Sequence, residues 1–264
     1  MIPAELNLAA GRRVLAVGCH ADDIEIGLGG TLLTLCERNA ELVVTWVVLS
    51  ADEDREREAH ASAAAFAGGR AEVVVRSFRD SYFPYAGHEL KEFFDELGRE
   101  VSPDVVFTHA GCDLHQDHRL VSELTRNTFR DHLILEYEVP KYDGDLGSPN
   151  VFVPLTEEVV ARKAELLLEH FASQRAKHWF TEDLFRALVR LRGVECASPT
   201  SFAEAFHCRK LVLGGGAASR GSEGGATARS RRGEARPRSA RSAPASLEPA
   251  VAAARPSGSL ARSR

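Results

Sequence analysis

Residues 13–30 read RVLAVGCHADDIEIGLGG, and the rest of the chain falls into place around them. The first half, Arg13–His20, is an apolar run that ends in polar residues. Four similar runs follow: LVVTWVVL (42–49), EVVVRSF (72–78), DVVFTHA (104–110) and LILEYEV (133–139). Each is rich in Val, Ile or Leu without clean polar alternation, the pattern of strands buried on both faces. Helix-like segments alternate with them at Gly29–Arg38, Asp54–Ala67, Glu89–Arg99 and His115–Phe129. Gly68-Gly69 supplies a stop for the second. In the third, Leu90, Phe93, Phe94 and Leu97 share one face. This alternation predicts an α/β fold, a mostly parallel sheet with helices on both faces. Ligands of such sheets sit outside the carboxyl ends of the strands. Past Pro140 the pattern changes. KYDGDLGSPN (141–150) is a turn-rich loop, Thr156–Phe171 an amphipathic helix capped by Thr156, residues 182–192 another helix, and residues 203–213 a closing strand.

The chain has 264 residues, 44% of them apolar and 27% charged, with a formal charge of −5. That charge is unevenly spread. From Gly214 to Arg264, 44 of 51 residues are Ala, Arg, Ser, Gly or Pro, with ten Arg and three Glu, so residues 1–213 carry −12. The last 51 residues have three aliphatic side chains larger than Ala: Leu247, Val251 and Leu260. So little apolar surface does not offset about 1–2 kcal/mol of backbone entropy per residue, and a disordered tail at 214–264 is expected after a domain at 1–213. No aromatic residue interleaves with the ten Arg, so no nucleic-acid partner is expected. The longest apolar run, Leu42–Leu49, is far short of the roughly 20 residues that span a membrane. The first residues, with Glu5 and no early basic side chain, do not read as a signal peptide. Five cysteines without a CxxC pair suit reduced thiols in a cytoplasm. Cys19 and Cys112 read as buried thiols.

Chemistry concentrates in two places. The first predicted strand ends in His20-Ala-Asp22-Asp23-Ile-Glu25, and the fourth is followed by His115-Gln-Asp117-His118. A catalytic metal needs a few imidazole or carboxylate donors and an open position. A tight turn after the first strand can aim His20 and Asp23 at one point. Asp22 then points elsewhere, a candidate base rather than a ligand. If a helix starts near His115, His115 and His118 share a face at i, i+3. Both clusters lie at strand carboxyl ends, where they can meet at one cleft.

The segment VGCHADDIEIGLGGTL (17–32) resembles the signature of the PIG-L/LmbE family of zinc-dependent N-acetyl-sugar deacetylases: His-Pro-Asp-Asp, an acidic residue soon after, and a Gly-Gly that opens a helix. His115–His118 is similar to the family's second signature, His-x-Asp-His. The resemblance covers residues 12–213 and implies a Rossmann-like sandwich. It implies His20, Asp23 and His118 as zinc ligands, Asp22 as general base, and His115 as the group that stabilises the tetrahedral intermediate. Asp117 is implied as a carboxylate that orients a histidine, with Glu25 in support. Asp80 and Arg55 correspond to residues that hold sugar hydroxyls. Ala21 departs from the family's usual Pro, which loses turn rigidity but no ligand.

The implied cofactor is Zn²⁺; another divalent metal such as Fe²⁺ suits the same donors. The implied substrate is a small amino-sugar conjugate bearing an N-acetyl group. An amidase of thiol conjugates and a non-catalytic sugar-binding module remain alternatives, and the sequence leaves open whether copies form a homo-oligomer. Gly27-x-Gly29-Gly30 lacks the full dinucleotide-binding form and reads as helix–sheet packing. His109 reads as a structural residue beside the site.

Overall fold

A computed structural model describes residues 12–212. The predicted tail at 214–264 lies outside the described residues, as does its boundary with the domain. β1 (Arg13–His20) is central, pairing in parallel with β2 (Val43–Ser50) on one side and β4 (Val105–His109) on the other. β3 (Ala71–Val75) continues beyond β2, and β5 (Leu133–Tyr137) beyond β4, both in parallel. Two antiparallel strands complete the sheet: β7 (Phe202–Cys208) on β5, and β6 (Val151–Leu155) on β7. The order is β3-β2-β1-β4-β5-β7-β6, and its reversal falls between β1 and β4. The chain is thus an α/β sandwich with a seven-stranded mixed sheet, mostly parallel.

Strand alternation assigns the helices to two layers. Val14 and Ala16 of β1 and Val44, Trp46 and Val48 of β2 face one core. That core is shared with α1 (Asp23–Arg38), α2 (Glu53–Ala67), α5 (Glu157–His170) and α6 (Glu182–Glu195). Leu15, Val17, Val47 and Leu49 point the other way, into a core with Leu90, Phe93, Phe94 and Leu97 of α3 (Gly87–Glu100) and Val121 and Leu124 of α4 (Gln116–Thr128). Sheet faces buried on both sides account for the uninterrupted apolar runs. Gly68 closes α2 in the left-handed region at φ 58°, and Thr156 caps α5 by accepting the Val159 N–H.

Besides β7, which ends at Cys208 rather than at residue 213, two elements differ from the sequence reading. α1 opens at Asp23, six residues before Gly29, so the glycines lie inside the helix. Interior glycine costs a helix about 1 kcal/mol each. Close packing overrides that cost: a Cβ on Gly27 would stand 2.1 Å from Cδ2 of Tyr137, and one on Gly30 2.5 Å from Cδ1 of Leu155. Glu204 of β7 accepts the N–H groups of Gly30 and Thr31 at 2.8 and 2.6 Å, and Lys163 of α5 donates to Glu204 and to the Ile26 carbonyl, both at 2.7 Å. The second difference is β6, which the sequence reading omits. Pro154 interrupts its pattern, yet β6 is the edge strand, where a missing N–H is tolerated.

Candidate metal centre

β1 ends at His20, and Asp22 and Asp23 begin α1 directly. Asp23 sits in the first turn, where the helix dipole favours a carboxylate. Its Oδ2 accepts the N–H of His20 at 2.7 Å, closing the turn. β4 ends at His109, and a short loop leads to His115, which caps α4 with its Nδ1 taking the Asp117 N–H at 3.3 Å. One helical turn on, His118 faces the same cleft. Because β1 and β4 are adjacent, the two histidine-bearing segments converge.

Their donor atoms meet closely. His20 Nδ1 is 3.3 Å from Asp23 Oδ2, His118 Nε2 is 3.5 Å from the same oxygen, and the two imidazole nitrogens are 3.4 Å apart. Tetrahedral ligands about 2.0–2.2 Å from zinc stand about 3.4 Å from one another, so the three donors match the edges of such a site. The outer nitrogen of each imidazole meets a carboxylate. His118 Nδ1 donates to Asp113 Oδ2 at 2.9 Å, and His20 Nε2 lies 3.1 Å from Asp80 Oδ1. Those contacts leave His118 Nε2 and His20 Nδ1 with their lone pairs on the cleft.

The electrostatics fit a cation. Burial opposes a charge on Asp23, but His118, His109 and His20 outweigh it and hold the carboxyl well below the usual range. Burial also opposes a charge on His20, yet Asp23, Asp117 and Asp80 raise its pKa well above that of a free histidine. Two imidazoles and a carboxylate around one point are a donor set for zinc or a similar divalent ion.

Asp22, buried and next to the donors, accepts a hydrogen bond on Oδ1 from Arg55 Nη2 at 2.6 Å. Oδ2 makes no hydrogen bond among the described residues. Arg55 is also held by Glu58 and by Ser173 Oγ, each at 3.0 Å. The His115 ring stands edge-on to His20, with centroids 5.3 Å apart. Burial and the nearby His118 and His20 keep its pKa below the ordinary value. Asp117 is fully buried and takes the N–H groups of Ser81 and Phe83 at 2.7 and 3.1 Å, with Oδ2 3.7 Å from His20 Nε2. It thereby fixes the loop that carries Asp80, whose Ser81 adopts a left-handed backbone at φ 64°. Glu25 is buried against α2, where Ser62 donates to its Oε1; burial raises its pKa well above the carboxylate range.

His109 is fully buried and stacks on His118 with centroids 3.9 Å apart. Its Nε2 accepts the Cys19 N–H at 3.0 Å, and burial lowers its pKa to about 4. That lone pair is spent, so the ring serves as a floor beneath His118. Cys19 is buried as expected, but Cys112 is exposed, because it lies in the loop beyond β4 rather than on the strand. Asp113 and Lys141 were not singled out by the sequence. The alternation Asp113-x-His115-x-Asp117-His118 carries a signal for Asp113; Lys141, in a turn-rich loop, carries none.

Residues 15–129 match the sequence model of the family described as PIG-L: GlcNAc-PI de-N-acetylase. The match spans 115 of the chain's 264 residues. The segment contains His20, Asp22, Asp23, Asp113, His115 and His118. A relative from Escherichia coli (strain K12), "Uncharacterized deacetylase YaiS", is 28% identical over 181 residues, 64% of this chain and 97% of the relative. Among solved structures, N,N'-diacetylchitobiose deacetylase from Pyrococcus horikoshii, complexed with an inhibitor, aligns with a TM-score of 0.57 at 20% identity, over 75% of this chain and 83% of its own. GalB, the 4-carboxy-2-hydroxymuconate hydratase of Pseudomonas putida KT2440, aligns with a TM-score of 0.63 at 18% identity, over 78% and 100%. These structures share the fold. Since a hydratase is among them, the reaction of this chain has to be read from its site.

Proposed function

We propose that this chain is a PIG-L-type enzyme, a zinc-dependent hydrolase that removes an N-acetyl group from an N-acetylglucosamine-containing conjugate. The observation that carries the proposal is the mutual approach of His20 Nδ1, Asp23 Oδ2 and His118 Nε2 within 3.3–3.5 Å, beside Asp22, which has one free carboxylate oxygen. The family description and the deacetylase names of the Escherichia coli and Pyrococcus horikoshii proteins support deacetylation; the chitobiose deacetylase supports an amino-sugar substrate.

His20, Asp23 and His118 would hold the zinc, which when bound would supply Lewis acidity toward the amide carbonyl and lower the pKa of a water. Arg55 anchors Oδ1 of Asp22, so Oδ2 receives the proton from the water as its oxygen bonds to the carbonyl carbon. His115 faces the oxygen that gains charge; with Nδ1 engaged by the Asp117 N–H, its Nε2–H donates there. The C–N bond breaks as Asp22 passes the proton it took from the water to the nitrogen, giving acetate and the free amine. Asp80, exposed at the rim, would accept a sugar hydroxyl, and Arg55 borders the same cleft.

The test is acetate release by the zinc-loaded protein from a panel of N-acetylglucosaminyl compounds, alongside thiol-conjugate amides. Acetate from the amino sugars, abolished by a chelator, is the expected result. Cleavage of thiol conjugates alone would favour the amidase reading. Saturable sugar binding without release would leave a non-catalytic module and overturn the enzyme.

A further inference from the structure

Asp113 stands behind both active-site histidines at once. Its Oδ1 accepts the backbone N–H of His115 at 2.8 Å, and its Oδ2 accepts Nδ1–H of His118 at 2.9 Å. The side chain is only 3% exposed, so its charge needs a cation close by. That cation comes from elsewhere in the chain. Lys141, in the loop after β5, places Nζ 2.9 Å from Asp113 Oδ2. The same ammonium donates to Asp145 Oδ2 at 2.6 Å and to the Val139 carbonyl at 3.4 Å, which uses all three of its protons. Asp145 in turn accepts the N–H of Leu114, next to His115, at 2.7 Å. The far end of the loop is pinned separately: the Gly147 N–H donates to Glu138, and Arg192 donates to both Glu138 and the Gly147 carbonyl.

We propose that Lys141 is a positioning residue of the metal centre, fixing Asp113 and, through it, the ring of His118 whose Nε2 faces the metal. The proposal rests on the metal-dependent reading above. The loop 141–150 is then more than a connection between β5 and β6, because its first residue forms part of the frame of a ligand. Without the ammonium, the Asp113 carboxylate loses the partner that holds it inside, and His118 loses a fixed acceptor for Nδ1–H. An imidazole free to turn holds a metal less tightly. Disturbing the hydrogen-bond partner of a ligating histidine costs about 10–100-fold in metal affinity. A lysine that only clipped a surface loop would leave that affinity alone.

The experiment measures zinc dissociation constants of the full chain by competition with a chromophoric chelator. The proteins are wild type, Lys141→Met, Lys141→Arg, Asp113→Asn and the Lys141→Met/Asp113→Asn double variant. Melting temperatures of the zinc-free proteins report whether each is folded. Lys141→Met should weaken zinc binding about 10-fold or more, and Lys141→Arg should recover most of it. In the Asp113→Asn background, Lys141→Met should add less than about threefold, because both act through one contact. Wild-type affinity in Lys141→Met, or full additivity in the double variant, overturns the proposal. Should Lys141→Met not fold, Asp145→Asn loosens Lys141 without removing it: a severalfold loss of affinity supports the proposal and an unchanged value overturns it. Failure of the wild type itself to bind zinc would instead sink the metal-dependent reading, along with this inference.

Discussion

Asp22 and Asp23 are neighbours in sequence with opposite surroundings, and the turn between β1 and α1 separates them. Asp23 closes the turn on the His20 N–H and faces three imidazoles; Asp22 turns to Arg55. Because Asp22 makes no hydrogen bond or ion pair with His20 or His118 among the described residues, Asp22→Asn should keep zinc and lose most turnover. General-base assistance is worth about 10²–10⁴-fold, so kcat should fall by that order while zinc content by elemental analysis stays at the wild-type value. A near-normal kcat would remove Asp22 from proton transfer. His118→Ala acts on the other side of this division. It deletes a donor that lies 3.4 Å from His20 and 3.5 Å from Asp23, so bound zinc per chain should drop well below that of the wild type under the same dialysis. Full zinc occupancy in that variant would show that the ion sits elsewhere. These residues are legible in the sequence because each lies where a strand ends and a helix begins. Asp113 and Lys141 are not. Their meeting depends on the loop after β5 folding back over the loop after β4, and no local periodicity records that contact.

At the scale of elements, β1 to β5 and α2 to α6 are legible because burial on both faces, or on one stripe, leaves its period in the sequence. α1 and β6 are less so, because tertiary packing overrides their local preferences. The helix α1 accepts three glycines within four residues because large side chains from other elements occupy the space where a Cβ would stand. At Gly27 the neighbour is Tyr137, itself fully buried and tied by its hydroxyl to the Val17 carbonyl at 2.7 Å. The ring has no free volume to enter, so Gly27→Ala must push α1 away from β5. The gain in helix propensity, about 1 kcal/mol, is smaller than the strain of overpacking, typically about 1–3 kcal/mol and more where nothing can move. Gly27→Ala should therefore be destabilised in urea by a net amount on the order of 1–2 kcal/mol. It should also lose zinc affinity, since Asp23 lies one turn away on the same helix. A variant as stable as wild type would mean that Tyr137 can yield and that the glycine serves another purpose.

For the molecule as a whole, the candidate ligands bridge its two independent layers. His20 and Asp23 lie at the junction of β1 with α1, which packs on one face of the sheet; His118 belongs to α4, on the other. A divalent ion held by all three would tie those layers together at the sheet's carboxyl edge, across the reversal of strand order between β1 and β4. Such an ion binds the folded chain and has no assembled site in the unfolded one, so its binding energy adds to folding stability. With free zinc at 100 times its dissociation constant, the gain is about 2.7 kcal/mol. A domain of this size shifts its melting temperature by about 2–4 °C per kcal/mol, so zinc should raise the midpoint by about 5–10 °C. The comparison is a thermal melt of the same preparation after EDTA and dialysis, then after zinc is restored. Magnesium should not substitute, since it prefers oxygen ligands in octahedral geometry to two imidazoles. Equal midpoints with and without zinc would mean that the three side chains do not grip an ion in common. The close approach of His20, Asp23 and His118 would then be a packing feature of the cleft.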